Sequence, residues 1–215
     1  MAGETVMSLD LTGLIERGSF SRQIQLSVDH QVLGVVGANG AGKTSLLRVV
    51  AGLDRLAGGA LSVDGEMWDD PAGHVFLPPE KRGVGMVFQD HTLLPFASVL
   101  DNVAFPLRRT GRSRTTARQV ARELLVDAGC SHLVDAMPNE ISGGQAQRAC
   151  IVRALATAPK VVLLDEPMSA IDESSVDDLR DWLRTRLATF RAHCVLVSHS
   201  RGDIDSLCGE VVDLC

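Results

Sequence analysis

The stretch GANGAGKT, residues 37–44, is a full match to the pattern GxxxxGK[ST], and its neighbours decide how it is read. Ahead of it, residues 31–36 (QVLGVV) form a short apolar run of strand character. Behind it, residues 45–51 carry apolar side chains at helical spacing. Strand, glycine-rich loop and helix, in that order, make a phosphate cradle: the glycines let successive backbone N–H groups turn toward an anion, and the helix adds its positive end. Gly37, Ala38, Asn39, Gly40, Ala41, Gly42, Lys43, Thr44 and Ser45 are therefore candidate ATP-binding residues. Lys43 is expected to reach the β- and γ-phosphates, and the Thr44 hydroxyl to ligate Mg²⁺.

Working outward, Met7, Leu9 and Leu11, then Ile24, Leu26 and Val28, alternate with polar residues, the period of half-buried antiparallel strands. Leu61 and Val63 precede Asp64-Gly65, a strand ending in a tight turn, and residues 84–88 resume strand character. Residues 98–128 turn helical and arginine-rich, and a further helix spans residues 143–158 until Pro159 stops it. Residues 160–164 (KVVLL) and 194–197 (CVLV) are continuous apolar runs of central parallel strands, with a helix over residues 173–190 between them and a last strand over residues 210–214. The expected fold class is α/β: a P-loop NTPase core with a mostly parallel sheet, an N-terminal antiparallel β-subdomain and an inserted helical subdomain. All 215 residues form one domain in this reading, with residues 1–90 and 159–215 as core and residues 91–158 as the insert.

Composition agrees with an ordinary globular chain, 45% hydrophobic and 22% charged. A net charge of −6 argues against a nucleic-acid partner, which needs a basic face. Five cysteines, Cys130, Cys150, Cys194, Cys208 and Cys215, include no CxxC pair, so neither a disulfide framework nor a zinc site is expected and a reducing cytosol suits them. The opening MAGETVMSLDLTGL lacks the basic start and apolar core of a signal peptide, and no apolar run approaches the ~18–20 residues of a membrane span.

Two acids follow the KVVLL strand. Asp165, at its end, is placed to hold Mg²⁺, and Glu166 to face the γ-phosphate and orient or deprotonate the attacking water. The interval between Lys43 and Asp165 is far longer than one strand and one helix need, and it contains residues 141–145, ISGGQ, opening a helix. Ser142 can cap that helix while the two glycines leave N–H groups open to an anion.

With ISGGQ in place the chain resembles the ABC ATPases, whose signature is LSGGQ. Further motifs agree in the family's order: Gln89 in VFQD, residues 169–172 (SAID), and His199 in VSHS. The resemblance implies two cassettes sandwiching two ATP molecules as a homodimer or paired cassette. Ser142, Gly143, Gly144 and Gln145 of one chain then meet the γ-phosphate of the ATP held by the other. It also implies that Gln89 senses Mg²⁺ or water, that His199 holds the γ-phosphate and the water, and that Asp172 joins the two sites. The chain has no tyrosine. Phe20 is the nearest aromatic ahead of the cradle and the candidate for stacking on adenine, with a core phenylalanine as the competing reading.

Within residues 75–107, LPPEKR followed closely by VFQD resembles binding-protein-dependent importers of the molybdate type. By that resemblance the partners are transmembrane permease subunits and, indirectly, a solute-binding protein, at the cytoplasmic side of the membrane. A non-transport ABC ATPase acting as a membrane-associated regulator or scaffold is the alternative. The chain stops at Cys215, so the regulatory β-domain of many importer ATPases is not expected. Residues 90–105, with Leu93, Leu94, Pro95 and Phe96 as apolar anchors, are expected to receive a short helix of the permease. Arg108, Arg109, Arg112, Arg114, Arg118 and Arg122 read either as a solvated helix face or as a surface for a membrane subunit or lipid.

Overall fold

The computed structural model describes residues 8–29, 32–90, 92–190 and 192–214. Expectations touching residues 1–7, Gln31 and Cys215 lie outside those residues. Among the described residues ten strands form two five-stranded sheets.

The first sheet is antiparallel, as the period-two pattern predicts. Strands β1 (Leu9–Arg17) and β2 (Phe20–Val28) pair with Leu11 opposite Leu26 and Leu9 opposite Val28, so one face is continuously apolar. After β3 (Val32–Val36) and helix α1 (Lys43–Ala51) the chain returns through β4 (Gly58–Val63), β5 (Glu66–Asp70) and β6 (Val75–Phe76), giving the order β2-β1-β4-β5-β6.

The second sheet gathers β3 with β7 (Val84–Val87), β8 (Val161–Asp165), β9 (His193–Val197) and β10 (Glu210–Asp213) in the order β10-β3-β9-β8-β7, every pair parallel. All residues of β8 and β9 are buried, which is why both read as unbroken apolar runs. Their side chains alternate between two cores. Val161, Leu163, Val195 and Val197 join Leu46, Leu47, Val49 and Val50 of α1 and the apolar face of the antiparallel sheet. Val162, Leu164, Cys194 and Leu196 join the helices on the other side. Each fully buried Leu or Val of α1 contributes on the order of 1.5–3 kcal/mol.

Helices α2 (Val99–Arg109), α3 (Arg114–Asp127) and α4 (Gly143–Leu155) lie between β7 and β8 in the chain, and α5 (Glu173–Phe190) and α6 (Arg201–Leu207) flank β9. Ser98, Ser113, Ser142 and Ser200 cap α2, α3, α4 and α6 by accepting from the backbone N–H three residues on. The helical stretch read over residues 98–128 is thus two helices, because Thr110 ends one and Ser113 starts the next. The helix read to residue 158 stops at Leu155, and Ala158 has a φ of 49°. Strand β8 runs one residue further than KVVLL, to Asp165. Neither β5–β6 nor α6 was legible as an element.

One loop anchor also differs from the sequence reading. Leu93 is 5% exposed and belongs to the helical core, while Phe96 is 79% exposed, so Leu93 is unavailable to a docking partner. Arg82 of LPPEKR is only 1% exposed, and its guanidinium donates to the carbonyls of Leu77, Val49, Val50 and Trp68. It neutralises the carbonyl end of α1 and lies over the Trp68 and Phe76 rings. Burial lowers its pKa to about 10. The described cysteines are all free.

Candidate functional site

In a parallel sheet the backbone leaves every strand at the same edge, and ligands bind beyond those carboxyl ends. Here β3 runs into the 37–44 loop, β7 into Gln89, β8 into Asp165 and Glu166, and β9 into His199. Their side chains meet in a cleft of about 500 Å³, lined by residues 39–45, Gln89, Asp165, Glu166 and His199, with Phe20 and Arg17 closing it from the β1–β2 hairpin. Gly37 and Ala38 do not line the cleft but accept hydrogen bonds from the Lys43 ammonium at 2.7 and 3.0 Å.

The cradle is built for an anion. Helix α1 is capped by Gly42 with no side-chain cap bond, and its first turn carries no acid, so its leading N–H groups are left to a ligand. Gly42 has a φ of 96°, and a Cβ there would lie 2.2 Å from Phe20 Cζ. The Phe20 ring therefore rests directly on the loop that would hold phosphate, half-buried and packed against the edge of the core shared by α1 and the antiparallel sheet. Arg22 of β2 donates to the Ala41 carbonyl at 3.1 Å, fixing the loop from the hairpin side.

Opposite the cradle, the Thr44 hydroxyl donates to Asp165 Oδ2 at 2.9 Å. Asp165 is 3% exposed, and burial raises its pKa against the opposing effects of Thr44, Lys43 and His199. A hydroxyl and a carboxylate are the hard oxygen ligands that Mg²⁺ prefers. Among the described residues no three His, Cys, Asp or Glu side chains converge on a metal, so phosphate oxygens and water would have to complete the shell.

Glu166 is held in the left-handed region with a φ of 50°, a conformation costing about 1–3 kcal/mol in a non-glycine residue. Its backbone is tightly engaged: the N–H donates to Val197 O at 2.9 Å, and the carbonyl accepts from Gln147 Nε2 at 2.8 Å and Ser169 Oγ at 3.0 Å. Its carboxylate is not. Oε2 accepts from the His199 N–H at 3.3 Å, while buried Oε1 makes no hydrogen bond and has His199 Nε2 3.5 Å away. Burial raises the Glu166 pKa, partly offset by His199. An orphaned acceptor beside a half-exposed imidazole is a place for a water molecule.

The ISGGQ residues are elsewhere. Ser142, Gly144 and Gln145 line a second cleft of about 310 Å³ together with Asp172, His132 and Arg148. Gly143 is at the first position of α4 but does not line it. Ser142 accepts from the Gln145 N–H at 3.3 Å, and Gln145 Oε1 accepts from the Ser142 N–H at 3.0 Å, a reciprocal capping box. The Asp172 carboxylate accepts from Ser174 at 2.6 Å, which lowers its pKa. One chain thus presents two separate clefts.

Sequence reasoning missed several residues here. Arg17 and Arg22 sit on strand faces that read as solvated. Asn102, fully buried, accepts from the Leu94 N–H and donates to the Leu94, Ala97 and Ser98 carbonyls, and Arg153 of α4 reaches Thr92 O at 2.9 Å. Gln147 is buried where a surface glutamine would be expected.

Residues 22–169, more than half of the chain, match the family described as ABC transporter. The chain is 36% identical over 200 residues to molybdenum import ATP-binding protein ModC 1 of Azotobacter vinelandii, covering 92% of this chain and 55% of that protein. It is 34% identical over 213 residues to ModC of Albidiferax ferrireducens, covering 98% and 57%. The chain therefore spans about half the length of the curated relatives it matches. Among solved structures, the dimeric, post-hydrolysis ATP-binding cassette MJ0796 bound to ADP and Pi superposes with a TM-score of 0.81 at 26% identity, over 96% of this chain and 94% of that one.

Proposed function

Because the chain belongs to the ABC transporter family, we propose that it is an ATP-binding and ATP-hydrolysing subunit that drives a transporter as a nucleotide-sandwich dimer. The observation that carries the reading is the separation of the two clefts. The cradle, Asp165, Glu166 and His199 share one, while the anion-receptive start of α4 opens onto the other. A second copy supplies what each cleft lacks.

In this reading Lys43 and the α1 N–H groups bind the phosphates, and Thr44, Asp165 and Gln89 hold Mg²⁺. The cation would supply charge neutralisation at the phosphate oxygens. Glu166 takes a proton from the attacking water as the water oxygen bonds to the γ-phosphorus and the ADP oxygen leaves. His199 orients that water and the γ-phosphate. Phe20 offers its ring to adenine, and Asp172 with Ser142, Gly144 and Gln145 closes the partner's site.

The relatives' names support molybdate import as the transport process; this chain would sit at the cytoplasmic face of the membrane, with the solute recognised outside it by permease subunits and, indirectly, a solute-binding protein. No described helix is long and apolar enough to cross a membrane, so a separate permease would carry the spans. Helices α2–α4 form the lobe that would face it.

Glu166→Gln keeps shape but cannot accept the proton, so turnover should fall by roughly 10²–10⁴-fold while ATP still binds. Intact ATP should then hold two chains together, and adding Ser142→Arg should abolish that dimer by putting a cation at the positive end of α4. Size-exclusion chromatography with and without Mg-ATP reads both. A Glu166→Gln chain that stays monomeric at saturating ATP would overturn the composite site. In cells, loss of labelled molybdate uptake on Glu166→Gln is the expected result, and unchanged uptake would exclude molybdate.

A further inference from the structure

Gln147 is the one buried polar side chain of α4, fully excluded from solvent. Both ends of its amide are occupied. Nε2 donates to the Glu166 carbonyl at 2.8 Å, and Oε1 accepts from the Ala170 N–H at 2.7 Å. A carbonyl only accepts and a backbone N–H only donates, so these two partners allow a single orientation of the amide. One turn earlier on the same face, Gly144 packs so closely on the same segment that a Cβ there would lie 2.8 Å from Ala170 O. The helix that begins with ISGGQ is therefore pinned at two points to the turn that begins with Glu166.

That turn needs pinning. Glu166 sits at positive φ with a carboxylate held by one long backbone contact and His199 Nε2 3.5 Å away, so the direction of its side chain is set mainly by its backbone, whose N–H is tied to Val197 O on one side and whose carbonyl is held by Gln147 on the other. Gln147 is a donor to that carbonyl from outside the turn; Ser169, the other donor, belongs to the turn and moves with it. We propose that Gln147 is a positioning residue that sets Glu166 in register with the start of α4, so that a phosphate gripped there by one chain and a water activated by that same chain's Glu166 share one rigid frame. The inference rests on the reading of Glu166 as the base.

Gln147→Met keeps the volume and removes both polar arms. Gln147→Glu keeps the length and the acceptor for Ala170 while turning a carboxylate oxygen toward the Glu166 carbonyl. Both should lower kcat about 10–100-fold, the scale of a misplacement of about 1 Å, with nucleotide affinity and KM within about twofold. In a Glu166→Gln background, adding Gln147→Met should cost little further turnover, because the group it positions is already lost. Single-turnover hydrolysis on the wild type and these four variants, with fluorescent-nucleotide binding as the control for folding, reads this directly.

Normal kcat in either variant, whatever happens to its thermal midpoint, would reduce Gln147 to a packing residue and overturn the proposal. The same fold-loss in both backgrounds would overturn it too, since Gln147 would then act independently of Glu166. Near-wild-type turnover of Glu166→Gln alone is a different failure: it removes the base itself, and is seen before Gln147 is touched. Should Gln147→Met bind no nucleotide, Gln147→Glu carries the test.

Discussion

The Thr44 hydroxyl and the Asp165 carboxylate meet at 2.9 Å although 121 residues separate them in the chain. The start of α1 and the end of β8 are thus joined by one hydrogen bond between two oxygen ligands of the kind Mg²⁺ takes. Asp165→Asn removes the anionic ligand but keeps the bond to Thr44. ATP affinity in EDTA should be unchanged, and the gain in affinity on adding Mg²⁺ should be lost. Calorimetric titration in both conditions checks this, and a retained Mg²⁺ effect would place the cation elsewhere.

Phe20 lies on Gly42, half-buried at the edge of the core. Phe20→Ala should weaken ATP binding by about 1 kcal/mol, one aromatic contact, which is roughly fivefold in Kd. Inorganic triphosphate, which has no base to stack, should bind both proteins alike. Equal loss for both ligands would assign the ring to shaping the loop instead.

Arg82 makes LPPEKR a structural staple. Arg82→Lys keeps a charge but cannot reach four carbonyls, and leaving two buried acceptors unpaired costs about 2–3 kcal/mol. The thermal midpoint should fall by about 4–12 °C for a chain of this size. Turnover per folded molecule should hold. A change in turnover without a change in stability would contradict the assignment.

Arg48 and Asp54 form a two-pronged pair at 2.7 and 3.0 Å that ties the end of α1 to the following loop, and the Arg48 hydrogen bond lowers the Asp54 pKa. A carboxyl with a depressed folded pKa contributes stability above its unfolded value and loses it as pH falls through the folded one. Asp54→Asn should therefore cost about 0.5–1 kcal/mol at neutral pH. The difference should shrink as pH falls from the ordinary carboxylate range through the depressed folded value, and vanish only below it. Denaturant curves at pH 7 and pH 3 compare the two, and a pH-independent cost would point to packing.

What could be read from the sequence was what is local. GANGAGKT carries its meaning in its own glycines, and the strands that bring Gln89, Asp165 and His199 to one edge are short apolar runs, so the cleft could be anticipated before any contact was known. Glu66–Asp70 could not, because EMWDD has no alternation of its own even though Asp64-Gly65 signals a turn ahead of it, and the strand is settled by pairing with β4 and β6 and by burial of Trp68. Leu93 and Phe96 are both apolar in one loop, and only packing decides that the first is buried and the second is not. Gln147 stands in QAQR, which reads as a solvated helix face. Its burial depends on the turn after β8, a partner that helical spacing does not reveal.

Leu163 and Leu164 are covalent neighbours that never share a core, since β8 sends one toward α1 and the other toward the helices beyond the sheet. Truncating either to alanine should cost about 2–5 kcal/mol, and the two losses should add as though the residues were remote, because the sheet stands between their surroundings. Adjacency along the chain is here a form of isolation. Substitutions on the helical side can therefore be absorbed without disturbing the packing beneath the 37–44 loop, and the reverse.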